Sequence, residues 1–383
     1  MTTLTPTPIE ITIHQPEVGD YAPTYVFLSN PQKSLQGRDF IGKSVVLFFY
    51  LKDGSPTCTA EVCGFRELYS QFQKLNIEVI GVAVDSPEAH DRFAQQCKLP
   101  FPLISDANMQ ISGSYGTISV TRAGEQATLS MRRKTYLIDP AQRIVKIYDR
   151  VEDPMLHAPR VLADARELLA REEPRNILAH APVLLIPNVL PRELCQELIR
   201  VWETEGNEDS GFMRQVDGQT VGIYDYSHKI RRDHFLKPGP TLDRVRKYIS
   251  ARVVPELNKA FNYDATRFED IRIACYDAAR GGYFRPHRDN TTEGTAHRRF
   301  AISLLLNDDY QGGYLRFAEF APHLYRPEAG GAVVFSSSLI HEATDITAGR
   351  RFVLLTFFYG EREAKIREEY NIKTGGPYRS AGN

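Results

Sequence analysis

The hydrophobic pattern of this 383-residue chain changes character near its middle, and that change limits what it can fold into. In the first half, Val45 to Tyr50 and Val79 to Val84 are short, nearly unbroken apolar runs, as strands buried on both faces require. A helical stretch from about Cys58 to Leu75 separates them. Tyr136-Leu137-Ile138 and Ile144 to Tyr148 read as two more strands, joined by a turn at Asp139-Pro140. Such alternation argues for a parallel or mixed sheet with helices on its faces. Glu152-Asp153-Pro154 stops it. Val161, Leu162, Ala165, Leu168 and Leu169 then mark an amphipathic helix ended by Glu173-Pro174, and a second helix follows Pro191 with Leu194, Cys195, Leu198, Ile199 and Trp202 on one face. Beyond it, Ile271 to Tyr276, Ala301 to Asn307, Tyr314 to Phe317, Ala332 to Ser336 and Phe352 to Tyr359 are short strands separated by Gly, Pro and Asp turns, the pattern of a β-sandwich or jelly roll.

This reading gives an α/β domain over residues 11–152, a linker helix over 153–177, a mainly β domain with flanking helices over 178–361, and a tail over 362–383 that is charged, then Gly-rich, and expected to fray. The length favours two domains. A net charge of −1 offers no electrostatic case for nucleic acid or an anionic membrane, and no apolar run approaches a membrane span. Met1 to Glu10 is Thr/Pro-rich without a basic flank or apolar core, so it does not read as a secretory signal. Five cysteines are an odd number and too sparse for a disulfide scaffold, so a reducing cytosol is the expected compartment.

The second half carries His287 and Asp289 two positions apart, a distal His341, and Arg351 ten positions after it. Residues two apart in an extended segment point to one face, so His287 and Asp289 can reach one metal together. Two imidazoles and a carboxylate make the facial triad of non-haem Fe(II) oxygenases, which leaves coordination positions open. Arg351 offers a bidentate partner to a carboxylate such as 2-oxoglutarate presents. A lone His-x-Asp is ordinarily a surface pair. Here the distal histidine, the arginine and the glycines at Gly281-Gly282, Gly312-Gly313 and Gly349 lift it above that. The cluster Arg280, Arg285, Arg288, Arg298 and Arg299 reads either as recognition of an acidic substrate or as solvated surface charge. The stretches Tyr276 to Asn290, Ala301 to Phe317 and Pro327 to Tyr359 resemble the prolyl 4-hydroxylase-like Fe(II)/2-oxoglutarate dioxygenases. That resemblance, which covers about the second half of the chain, implies a jelly-roll (double-stranded β-helix) fold and iron held by His287, Asp289 and His341. It implies 2-oxoglutarate held by Arg351 with help from Tyr276. It also implies use of O2, succinate as co-product, ascorbate as a candidate reductant, and hydroxylation of an unactivated C–H bond in a peptide or small molecule, with peptidyl proline the leading guess.

The first half carries Lys52-Asp53-Gly54-Ser55-Pro56-Thr57-Cys58-Thr59-Ala60-Glu61-Val62-Cys63 between a buried strand and a helix. A cysteine in the first turn sits at the positive end of the helix dipole, which favours the thiolate, the form that attacks a peroxide O–O bond. Ser55 can offer a hydroxyl to the same pocket, and Arg133 is a candidate cation for it. From about Val18 to Tyr148 the chain resembles the bacterioferritin-comigratory subgroup of peroxiredoxins, on that motif, on Phe101 to Asp106 and on Arg133 to Asp139. The resemblance implies a thioredoxin-like fold, Cys58 as peroxidatic cysteine, Cys63 as resolving cysteine, Arg133 as active-site arginine, and a thioredoxin- or glutathione-type reductant. Leu51 stands where the motif has proline, and Ser55 where it usually has threonine. Five steps along an ideal helix put two Cα atoms roughly 8–9 Å apart, beyond the roughly 7 Å ceiling for a disulfide. A Cys58–Cys63 bond therefore requires the helix start to unwind, and Cys97 is an alternative partner. Cys195 and Cys275 fit apolar core positions.

Together these features imply an oxidoreductase with two sites, able to form homo-oligomers. Three readings stay open. The peroxidase half protects the iron half at high effective concentration, or it senses redox state and regulates the hydroxylase, or the jelly roll is a non-catalytic binding scaffold beside a working peroxidase.

Overall fold

The computed structural model describes residues 15–23, 26–30, 33–36, 40, 42–123, 126–169 and 176–375. The chain divides into two compact units after Pro174. In the first unit, β1 (Ser44–Phe49), β2 (Ile77–Ala83), β3 (Leu103–Ser105), β4 (Lys134–Ile138) and β5 (Ile144–Tyr148) form one sheet in the order β3-β2-β1-β4-β5. The pairs β1–β2 and β2–β3 are parallel, and β4 is antiparallel to both neighbours. The unbroken apolar run of β1 is explained by burial on both faces. Val46 and Phe48 join a core beneath α1 (Pro56–Lys74), while Val45, Leu47 and Phe49 pack with Ile111, Tyr115 and Tyr136 on the other side. Helix α1 buries Cys58, Val62, Phe65, Tyr69 and Phe72 along one stripe, at helical spacing. With α2 (Pro87–Cys97) and the mixed sheet this is a thioredoxin-like α/β fold.

Helix α3 (Pro154–Leu168) corrects the expectation of a linker at 153–177. It packs along α1 and closes the core, with Ala158, Val161, Leu162 and Ala165 buried. Gly64 permits this approach, because a Cβ built there would already lie 3.5 Å from the Ala158 Cβ. The apolar stripe that marked an amphipathic helix is therefore a face of this unit's core. The expected stop at Glu173-Pro174 and the segment Met1 to Glu10 lie outside the described residues.

The second unit starts with β6 (Leu184–Ile186), α4 (Arg192–Thr204) and β7 (Glu208–Asp209). A hairpin, β8 (Phe212–Val216) and β9 (Gln219–Ile223), turns at Asp217-Gly218, both at positive φ as a tight hairpin turn needs. Then come β10 (Lys229–Ile230), β11 (Arg232–Phe235), α5 (Pro240–Arg252), α6 (Val254–Phe261), β12 (Arg272–Asp277), β13 (Tyr283–His287), β14 (Phe300–Leu305), β15 (Leu315–Arg316), β16 (Leu324–Tyr325), β17 (Ala332–Ser336), β18 (His341–Ala343) and β19 (Arg350–Tyr359). The larger sheet runs β6-β17-β14-β19-β12-β11-β7, with Arg267–Phe268 pairing on the end of β19, and the smaller runs β10-β13-β18-β15-β16. All pairs are antiparallel, giving a jelly roll.

Strand alternation separates two environments. Ile273, Cys275, Ile302, Leu304, Phe352 and Leu354 pack outward under Leu198, Leu242, Val245, Ile249 and Leu257 of the helices. Their neighbours Ala274, Tyr276, Leu305 and Val353 point inward with Phe284 and Ala343 of the smaller sheet. Helices α5 and α6 were not anticipated from the sequence; Pro240 and Pro255 sit in their first turns, where proline is tolerated.

The tail is a second correction. Residues 362–383 do not fray from their start, because α7 (Glu361–Thr374) docks on the unit. Tyr370 is buried and its hydroxyl accepts the Thr220 N–H at 2.9 Å, while Glu363 accepts the Tyr263 hydroxyl at 2.7 Å. Residues 376–383 lie outside the described residues. No described helix is long and apolar enough to cross a membrane.

Candidate functional sites

The thiol site grows from the N-terminus of α1. Ser55 caps the helix, accepting the Cys58 N–H at 3.4 Å, and Pro56 occupies the first helical position. Cys58 thus lies in the first turn, at the positive end of the helix dipole. Its sulfur is buried, and Arg133, which leaves β4's edge, points Nη2 at it from 3.2 Å. The same guanidinium sits 3.3 Å from Glu61 through Nε. Neither Glu61 oxygen makes an aligned hydrogen bond, and burial pushes this carboxyl up to about 7 against the pull of Arg133. His157 of α3 lies 4.0 Å from Glu61 and shares a 2.8 Å hydrogen bond with the Thr135 hydroxyl. Burial first, and Arg160 second, push His157 down to about 4, so it is neutral at physiological pH.

Glu61 and His157 were missed from the sequence. Glu61 stands three residues after Cys58 and shares its helix face, a spacing that could have exposed it. His157 could not be placed while its helix was read as a linker. The loop before the cap is pinned by Asp53, which accepts the Tyr50 hydroxyl at 2.7 Å and contacts His90 at 2.7 Å. Leu51, where the family motif has proline, is open to solvent. All five cysteines are free thiols. Burial first pushes Cys195 and Cys275 up to about 12, so neither offers a thiolate.

In the second unit, His287 ends β13 and His341 starts β18, and the two are cross-strand partners with ring centroids 4.3 Å apart. Asp289 follows two residues past the strand end, its N–H bonded to the Ser337 carbonyl at 2.9 Å. Its two carboxylate oxygens lie 3.6 Å from His287 Nε2 and 3.5 Å from His341 Nε2, and the three donors fall within 4.8 Å of one another. Each imidazole meets a backbone carbonyl with Nδ1, Arg285 at 2.8 Å and Leu339 at 3.0 Å, which fixes the tautomer and turns Nε2 inward. Burial and then His341 push His287 down to about 4, despite Asp289. Burial alone would raise Asp289, but His341 and His287 hold it well below the usual carboxylate range. A neutral imidazole beside an ionised carboxylate is the protonation state a metal needs.

These donors face a cavity of about 490 Å³ between the two sheets. Arg351 lines it from β19. It is buried, donates Nη2 to the Ser303 hydroxyl at 3.1 Å, and leaves Nε without a hydrogen-bond partner. Tyr276 is its register partner on β12, with the guanidinium 5.2 Å over the ring. The Tyr276 hydroxyl is 3.4 Å from Arg231 Nη1, and Arg231 is itself clamped bidentately by Asp233 at 2.7 and 2.6 Å. The donor set fits Fe(II), and a buried guanidinium with an unused N–H fits a carboxylate. Phe212, Phe284, Leu315, Phe335, Leu355 and Phe357 supply apolar wall.

The surrounding arginines are all engaged. Arg280 pairs with Asp209, Arg285 with Asp345, Arg288 with Glu319, Arg299 with Glu363, and the buried Arg298 with Glu269. Arg298 also donates to the Asp289 carbonyl at 3.2 Å, so the Glu269–Arg298 pair props the ligand loop from behind. That support was invisible in the sequence, where Glu269 stood isolated.

Residues 18–147 match the model of the AhpC/TSA family, and residues 271–359 match that of the 2OG-Fe(II) oxygenase superfamily. A putative peroxiredoxin bcp of Coxiella burnetii is 37% identical over 137 residues, which is 36% of this chain and 90% of that protein. Peroxiredoxin Bcp of Bacillus subtilis is 31% identical over 153 residues, 39% of this chain and 98% of that protein. The structure of the Xanthomonas campestris bacterioferritin comigratory protein shares 26% identity, with a TM-score of 0.37, over 40% of this chain and 98% of that one.

Proposed function

Since residues 18–147 make this chain a member of the AhpC/TSA family of peroxiredoxins, with a 2OG-Fe(II) oxygenase domain following in the second unit, we propose a division of labour between named residues. The first unit reduces peroxide through Cys58. The second hydroxylates an unactivated C–H bond, with peptidyl proline as the leading substrate. The observation that carries the second half is the meeting of two imidazoles, one carboxylate and an under-used buried guanidinium on one cavity.

Iron held there, with 2-oxoglutarate as the electron donor that ends as succinate, supplies the power to activate O2 toward a C–H bond. The chain's own residues set the geometry. His287, Asp289 and His341 bind the metal through one face. Arg351 holds the far carboxylate of 2-oxoglutarate, and Tyr276, braced by Arg231, limits how that guanidinium swings. The apolar walls exclude water and suit a prolyl ring or an aliphatic chain of similar size. Because Arg280, Arg285, Arg288, Arg298 and Arg299 are already paired, an acidic substrate has little to gain from them. Ascorbate is the proposed reductant that keeps the iron ferrous.

In the first unit the Cys58 thiolate attacks the O–O bond. Arg133 steadies the charge on sulfur and on the departing oxygen, and Cys63 then condenses with the sulfenic acid to release water. A thioredoxin- or glutathione-type dithiol or thiol closes the cycle. Five free thiols support a reducing, cytosolic setting.

The test is direct. Full-length protein with Fe(II), 2-oxoglutarate, O2 and a proline-rich peptide library should yield succinate and a one-oxygen mass gain in peptide, and Asp289→Ala should yield neither. Succinate without any peptide oxidation would remove the peptide assignment. Failure to bind Fe(II) at all would remove the oxygenase reading.

A further inference from the structure

Cys97, so far only an alternative disulfide partner for Cys58, packs beside Cys63 instead. It is the last residue of α2, and its side chain is buried in the core cluster against which Cys63 of α1 packs. Arg66, three residues on from Cys63 and on the same helix face, donates Nη1 to the Cys97 carbonyl at 2.8 Å and fixes the approach of the two helices. Cys63 is half-buried and packs against the cluster that holds Cys97, Val62 and Phe101. Cys58 and Cys63, by contrast, share an intact helix whose geometry keeps them too far apart to bond.

We propose that Cys63 and Cys97 form a second redox-active disulfide, and that the Cys58–Cys63 bond is passed to this pair so that Cys58 is regenerated before any external reductant acts. This rests on Cys58 being the thiol that meets peroxide.

The steps balance. The Cys58 thiolate displaces the leaving oxygen of the peroxide, which takes up a proton, and Cys58 becomes a sulfenic acid. The Cys63 thiol attacks that sulfur, water leaves, and Cys58–Cys63 forms with the start of α1 unwound. Cys97 loses its proton and attacks the Cys63 sulfur. The S–S bond to Cys58 breaks, its electron pair leaves on Cys58 as thiolate, and Cys63–Cys97 forms. This last exchange is redox-neutral, and a dithiol reductant later reduces the new bond.

Two features set its direction. The first disulfide holds α1 open, whereas the second joins two residues that already share one packed cluster in the folded state, so re-forming the helix favours exchange. Attack at Cys63 expels the sulfur that Arg133 and the helix N-terminus stabilise as an anion, making Cys58 the better leaving group. Burial, followed by the Cys63 thiol, pushes the Cys97 thiol up, which keeps it idle until α1 opens.

The experiment titrates fully reduced full-length chain, freed of reductant, with hydrogen peroxide. Disulfides are mapped by mass spectrometry and sulfenic acid is trapped with dimedone. Wild type should consume about two equivalents, ending with Cys63–Cys97 as the main disulfide and a sulfenic acid on Cys58, while Cys97→Ser stops at about one with Cys58–Cys63. Wild type that stops at about one equivalent with Cys58 held in a disulfide, to either partner, overturns the relay. That mapping needs no variant, so it stands even if Cys97→Ser folds poorly. Cys58→Ser that consumed peroxide like wild type would instead show that the underlying assignment of Cys58 is wrong.

Discussion

In the first unit the reactive sulfur, its cap and its neighbouring carboxylate all come from Ser55 to Glu61, and Arg133 and His157 alone arrive from elsewhere. In the second unit the three metal donors come from the end of one strand and the start of another, and the cavity they face is walled by strands of both sheets. A helix N-terminus offers positive potential from backbone alone, so a short motif can build an anion-stabilising site. A metal needs several side chains converging at fixed distances, and only a closed pair of sheets in correct register brings them together. The two sites also treat burial oppositely. Around the iron site the buried Arg298 and Arg231 are paired with Glu269 and Asp233, whereas Glu61 is left with poorly aligned contacts and a raised carboxyl.

The contrast can be broken from either side. Cys58→Ser should lower peroxide reduction by ~10³-fold or more and leave the initial rate of succinate formation unchanged. Its oxygenase should then lose activity sooner during turnover, and equal lifetimes with and without added peroxide would end the idea of protection. Asp289→Ala should lower 2-oxoglutarate turnover by more than the ~100-fold typical of outer ligand partners, with peroxide reduction intact. Residual Fe(II) binding at wild-type affinity would show that the triad is not the metal site.

Glu61 sharpens the electrostatic side. Its carboxyl is raised from an ordinary value near 4.5 to about 7 in the folded chain, so the folded state binds the extra proton between those values. Stability then falls as pH climbs through that window. Glu61→Gln should remove this slope, worth up to about 3 kcal/mol, with the opposite contribution of His157 left in place. Parallel stability curves for both chains across that range would refute it. Arg351→Gln should raise the KM for 2-oxoglutarate by ~10–100-fold, the worth of a lost charge-assisted pair, with a smaller change in kcat. Tyr276→Phe should shift the same KM by less than about tenfold, because its hydroxyl makes one long contact. If Tyr276→Phe proved the larger effect, the tyrosine rather than the arginine would be the main carboxylate partner.

Much of this architecture could be read from residue order alone, for identifiable reasons. The doubly buried strands β1 and β2 announced themselves as apolar runs, and Ile144–Tyr148 and Ala332–Ser336 match the expected bounds. Helix α3 was found but misassigned, since an amphipathic stripe does not say which surface it will cover. Helices α5 and α6 went unread although their prolines stand in first turns, where a helix accepts them, and α7 has so polar a surface that only Glu363 and Tyr370 are buried along it. At the sites, motif residues were legible because chemistry demands their types. Their supports were not. Glu269, Arg298, Asp233 and Ser303 act through long-range pairings that no local spacing encodes.

The packing of α3 on α1 sets where a free-standing peroxidase can be cut from this chain. Ending it at Tyr148, just past the family match, would strip away His157 and leave bare the side of α1 that contacts Ala158. Phe65 would lose the edge-on ring of His157. Such a fragment should be sticky and slow to recover after oxidation, since the helix that must open and re-form would have nothing to close against. A severed version worth making has to run through Leu169.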